Sequence, residues 1–201
     1  DGANVVLYHT SNMNMYGDII ENGTATGKGG NICAFTSGVV TLEGGTIRGG
    51  VAKVGGNFNG YNLTMNGGIV NIESGNDGIN TNEDNVSVTT INGGELNIYV
   101  NGSTGEGDGI DSNGWLVING GTVIAQACAT SGDAGIDSDQ GIYINGGKVV
   151  ASGNMLDRIA GGNQTYAVFS FASRQNGHDT YTLKNSSGET VWEYTPTNAF
   201  T

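Results

Sequence analysis

Apolar and polar residues alternate along this chain in short runs, and the runs recur. The marker of each recurrence is a glycine pair: Gly44–Gly45, Gly67–Gly68, Gly93–Gly94, Gly120–Gly121 and Gly146–Gly147. Successive pairs are 23, 26, 27 and 26 residues apart. Two residues before the pairs stand Leu42, Met65, Ile91, Ile118 and Ile144; two after stand Ile47, Val70, Leu96, Val123 and Val149. Both columns are wholly apolar. Period-2 alternation denotes strands, and a repeat in the twenties denotes a solenoid whose coils stack like on like at about 4.8 Å. The two columns become interior ladders, and Thr41, Thr64, Thr90, Val117 and Tyr143 face outward between them. The residues just before the pairs are Glu43, Asn66, Asn92, Asn119 and Asn145. Asn tolerates left-handed backbone and bonds locally, so Asn-Gly-Gly marks a corner between strands.

No helical spacing is sustained, so almost no helix is expected. The ladder of leucine-rich repeats is absent, as is the nine-residue calcium-binding Gly-Gly-x-Gly-x-Asp pattern. The expected fold is all-β: a single right-handed parallel β-helix of about five coils. Residues 29–160 form the coils and residues 1–28 an N-terminal cap. Residues 161–201 form a C-terminal β cap with strands at Thr165–Ser173, Thr180–Asn185 and Thr190–Thr195.

Composition narrows the field. Glycine occurs 37 times in 201 residues and proline once, which excludes collagen and proline-rich disorder and fits many tight corners. A net charge of −12 repels nucleic acid and anionic membranes. No apolar run of about 18 residues is present to cross a bilayer. A secreted or cell-surface monomer is expected. Cys33 and Cys128 fall on coils three steps apart, about 14 Å; a disulfide needs Cα atoms within about 7 Å, so both are expected to be free thiols.

Upstream of the later glycine pairs a second segment recurs: Asn76–Asn82, Gly107–Gly114 and Gly132–Gly141. Aligning Ile79, Ile110 and Ile136 as inward places Asn80, Asp111 and Asp137 outward, with Asn82, Asn113 and Asp139 two residues on. Asp77, Asp108 and Asp133 stand at the preceding corner. Calcium takes oxygen ligands at about 2.3–2.6 Å, so ligands on opposite sides of one ion are about one coil step apart. The expected metal ligands are Asp77, Asn80, Asp108, Asp111, Asp133, Asp137 and Asp139, with calcium as the ion; the alternative is that the acids are simply solvated. Zinc is disfavoured, because His9 and His178 lie in the two end regions and no Cys/His cluster exists.

The repeated Asp-Gly-Ile-Asp/Asn-Ser-Asn followed by Ile-Asn-Gly-Gly resembles the bacterial polysaccharide-lyase-like β-helix proteins over roughly residues 30–152. That resemblance implies a secreted, calcium-containing domain binding cellulose or polygalacturonate, with Asp77, Asp108, Asp111, Asp137 and Asp139 matching the family's acidic segment. Cys33 and Asn59 replace the acid in the earlier coils, which are expected to hold no metal. An acidic or neutral plant polysaccharide is the expected partner. Trp115, Tyr143 and Asn113 are its expected contacts, with Tyr61 and Tyr99 as further aromatic candidates. Two alternatives stand. A calcium-dependent pectate lyase would need a basic residue beside the acids, or an acid–base pair such as Asp111 with Asp137; none of the seven Lys and Arg recurs beside them. A structural or adhesive solenoid would use calcium only for stiffness.

Overall fold

The computed structural model describes residues 3–102 and 107–201. It is all-β, with no helix among the described residues, and its parallel sheets stack as a β-solenoid of about six turns. Each turn contributes one strand to each of three faces. The first face runs β1 (Val5–Leu7), β4 (Ile32–Ala34), β7 (Phe58–Gly60), β10 (Ile79–Thr81) and β13 (Ile110–Ser112). A bridge from Ile110 to Ile136 adds the sixth turn. The second face runs β2 (Asn12–Met15), β5 (Val39–Leu42), β8 (Asn62–Met65), β11 (Val88–Ile91), β14 (Trp115–Ile118), β16 (Gly141–Ile144) and β18 (Ile159–Gly161). The third face comprises β9 (Ile69–Ser74), β12 (Glu95–Val100), β15 (Thr122–Gln126) and β17 (Lys148–Ser152), with β3 (Ile19–Glu21) paired to β6 (Thr46–Arg48) in the first two turns.

The registers follow the glycine alignment. Leu42 pairs with Met65, Met65 with Ile91, Ile91 with Ile118 and Ile118 with Ile144. These side chains are 5% exposed or less, so each recovers about 1.5–3 kcal/mol of transfer free energy. The corner asparagines form the expected ladder. Asn92 donates from Nδ2 to Asn66 Oδ1, Asn119 to Asn92 and Asn145 to Asn119, each at 2.8 Å, and Asn66 donates to Glu43 Oε1 at 3.0 Å.

Two expectations need correction. Residues 5–28 are a full turn rather than a separate cap: Met15 pairs with Leu42 and Ile20 with Ile47. Its corner is Gly17–Asp18, with Asp18 at φ 67° where Gly45 has φ 98°. An aspartate doing a glycine's task hid this copy of the repeat and made the count one turn short. Residues 165–173 form no strand. The parallel ladder ends at β18, and no neighbouring strand offers this segment a partner. The other two strands exist, as an antiparallel hairpin of β19 (Tyr181–Lys184) and β20 (Thr190–Tyr194). The tail after it is pinned to the third face: Gln126 Oε1 accepts from the backbone of Thr197 at 2.7 Å and Asn198 at 3.0 Å. Asn198 Nδ2 in turn donates to Val100 O and Ala127 O, both at 2.7 Å.

Cys33 and Cys128 are both buried free thiols. Cys128 belongs to the core cluster; Cys33 does not, although it is only 1% exposed. Burial pushes its thiol above the usual value, an effect that nearby Lys28 opposes.

Candidate acidic site on the first face

Ile79, Ile110 and Ile136 point into the core, so the next residue on each turn lies on the outer side of the first face. Asn59, Asn80 and Asp111 are in direct register, and Asp137 follows Ile136 one turn further on. The column is continuous: Asn59 Nδ2 donates to Asn80 Oδ1 at 3.0 Å, and Asn80 Nδ2 donates to Asp111 Oδ2 at 2.5 Å. A second column stands at the corner. Asp77 Oδ1 accepts from the backbone of Asp108 at 3.0 Å, and Asp108 Oδ1 accepts from the backbone of Ala134 at 2.7 Å. Asp77 Oδ2 lies 3.4 Å from Asn80 Nδ2, joining the two columns. One oxygen of Asp77 and one of Asp108 thus stitch successive turns together.

The outward columns are less exposed than an outward direction alone implies. Asp77 and Asn80 are each 5% exposed, Asp108, Asp111, Asp133 and Asp137 are half-buried, and only Asp139 is exposed. In the two earlier turns, where Cys33 and Asn59 stand in place of the acids, the preceding corner backbone packs close over the column. A Cβ placed on Gly29 would lie 2.9 Å from Cys33 Cα, and one on Gly55 would lie 2.9 Å from Asn59 Cβ. Both glycines have φ 58°, so the overlying turn depends on them.

Partial burial of like charges has an electrostatic cost. Burial pushes Asp108 up to about 8, opposed by its bond from Ala134 and reinforced by Asp137, Asp77 and Asp133. Asp137 is pushed up to about 6, first by burial and then by Asp157, with which it shares a side-chain hydrogen bond. Asp157 lies outside the repeat, in the turn before β18, and its Oδ2 also accepts from the backbone of Ser138 at 3.0 Å. It is a site residue that the repeat alignment misses; its only signal is an acid just past the last glycine corner.

Every donor in this constellation is a carboxylate or amide oxygen, as a hard divalent cation prefers. Asp133 Oδ2 is buried with no hydrogen-bond partner among the described residues, an orphaned acceptor suited to such an ion. Among the described residues no three acidic, His or Cys side chains already converge on one point. The carboxylates are spread along the stacking direction, so a cation here would draw side chains of adjacent turns together. Lys28, placed by sequence in an end region, reaches this face: with the Asn82 amide oriented to satisfy its neighbours, Asn82 accepts from Lys28 Nζ at 2.8 Å and donates to Gly60 O at 3.0 Å.

The expected sugar contacts lie elsewhere. Trp115 and Tyr143 belong to adjacent turns of the second face, where Trp115 pairs with Gly141 and Val117 with Tyr143. The Tyr143 ring packs beside Gly141 and Gly161 and is 38% exposed, whereas Trp115 is half-buried. Asn113 sits at the corner between the two faces and donates from Nδ2 to Asp84 Oδ1 at 2.7 Å. The structure therefore separates the aromatic pair from the acid columns. No family model, curated protein or solved structure matches this chain.

Proposed function

We propose that this chain is a non-catalytic, calcium-dependent carbohydrate-binding module of a secreted or cell-surface protein, directed at plant cell-wall polysaccharide. The observation that carries the cation is the orphaned Asp133 Oδ2 near Asp108 and Asp137, carboxyls whose pKa is raised first by burial and further by neighbouring acids. A divalent cation bound there would neutralise that repulsion, supply the ligand that Asp133 lacks, and reverse the local sign on a chain of charge −12. A long flat solenoid face suits an extended polymer. The resemblance of the repeated acidic segment to polysaccharide-lyase-like β-helix proteins supports the same reading.

A second reading, a calcium-dependent lyase, gains support from Lys28 beside Asn82, because proton abstraction next to a sugar carboxylate needs a base on the acidic face. Two other cations are engaged elsewhere: Arg48 pairs with Glu21 at 2.6 Å, and Arg174 donates to Ala129 O.

Affinity electrophoresis in gels containing polygalacturonate, a soluble cellulose derivative or xylan separates these readings, run with calcium and with chelator. Calcium-dependent retardation without unsaturated product is the expected result. Release of product absorbing in the ultraviolet, lost in Lys28→Met, would replace the binding module with the lyase. No retardation in any gel would sink both.

A further inference from the structure

The third face carries a groove that neither the repeat nor the acid columns account for. It encloses 580 Å³, within the usual range for ligand sites. Its floor is the outer side of β12, β15 and β17, two stacking steps or about 10 Å across. Its wall is β20 and the residues that follow it. Trp192 and Tyr194, two apart on β20, are half-buried. The wall is held in place at two points: Tyr194 Oη lies 2.8 Å from Ser152 Oγ, and the following segment is bonded to Gln126. Tyr99 on the floor is in direct register with Glu73 of the neighbouring turn. The groove is thus preformed, with three aromatic rings among Asn, Gln and Thr side chains.

We infer that this groove binds a short neutral pyranose oligosaccharide. Aromatic rings offer flat apolar area to the C–H faces of a sugar ring at low entropic cost, while amides and hydroxyls meet its hydroxyl groups. The charge balance selects neutral over acidic sugars. Lys148 and Glu193 are the charged residues lining the groove, and they cancel. Lys148 Nζ lies 5.7 Å from the centre of the Trp192 ring, where part of its charge is already met by the ring face. A uronate polymer would find no net positive charge here and the field of a −12 protein around it. The inference rests on the carbohydrate-binding reading but places neutral sugar away from the acidic face and away from Trp115 and Tyr143.

The chain has two tryptophans, one at each competing location, so fluorescence assigns the site. Trp115→Phe leaves Trp192 as the reporter, and Trp192→Phe leaves Trp115. Each is titrated with cellohexaose, xylohexaose and mannohexaose in calcium buffer, with hexagalacturonate as comparator, beside calorimetry on the parent chain. The expected result is a saturable emission change from Trp192 with at least one neutral hexasaccharide, and none from Trp115. Thr122→Trp, which fills the floor without altering a hairpin residue, should weaken that binding at least tenfold. Neutral sugar that moves only the Trp115 signal, or that binds Thr122→Trp unchanged, overturns the groove while leaving the binding module standing. Binding of hexagalacturonate alone does the same. Absence of binding by every saccharide ends the carbohydrate reading itself, and the groove assignment with it.

Discussion

Asp108 is the residue whose energetics are most exposed to test. Its carboxyl ionises near 3.8 when unfolded and near 8 when folded, so between those values the folded chain holds a proton that the unfolded chain has released. Stability therefore falls as pH rises from about 4 to about 8. Asp137, pushed up to about 6, adds to the same slope over the lower part of that window. In chelator, the melting temperature should drop by several degrees across this range, at about 2–4 °C per kcal/mol for a chain of this size. Asp108→Asn should flatten the curve, and calcium should raise the melting temperature most at the alkaline end. A flat profile in the parent chain would remove the premise that burial and neighbouring acids disfavour these charges. The asparagine ladder gives a second test. Asn119→Ala breaks bonds to both neighbours, each worth about 0.5–1.5 kcal/mol, and should lower stability by about 1–2 kcal/mol in urea unfolding. Sequence made the ladder and the acid columns legible because both recur in step. Asp157 was not, because it reaches the face from outside the repeat, and Lys28 was not, because the first turn to which it belongs lacks a glycine pair.

Elements in this molecule are defined by their corners. Gly94 has φ 87°, and a Cβ there would lie 2.7 Å from Gly68 O in the turn below. Gly94→Ala thus combines left-handed strain with a backbone clash and should cost about 1–3 kcal/mol, enough to shift the urea midpoint clearly. An unchanged midpoint would mean that the stacking is looser than the registers imply. The corner of the first turn explains where sequence reasoning stopped. Asp18 occupies left-handed backbone without being glycine, so alignment on glycine pairs passed over β1, β2 and β3. Residues 165–173 erred in the opposite direction. Tyr166, Val168 and Phe169 are strand-favouring residues but are exposed, because a strand pattern without an adjacent edge cannot complete its ladder.

For the molecule as a whole, fold and site were legible to different degrees. The solenoid follows from a short period summed over many turns, and every turn adds the same evidence. The groove against β20 is a local departure from the repeat and depends on how the terminal hairpin folds back, which no repeat encodes. The two free thiols belong to the repeat and behave as it dictates: reductant should leave the melting temperature of the chain unchanged, whereas a lowered value would reveal a bond that the three-step separation forbids. The central claim is that a hard divalent cation binds between turns at the acidic face. Calorimetric titration of calcium into chelator-stripped protein at pH 7.5 tests it most directly, alongside Asp133→Asn and the Asp111→Asn, Asp137→Asn double variant. The account predicts saturable binding in the parent chain, weakened at least tenfold in Asp133→Asn and lost in the double variant, with all three still cooperatively folded. No heat beyond dilution in the parent, or equal affinity in all three, would contradict it.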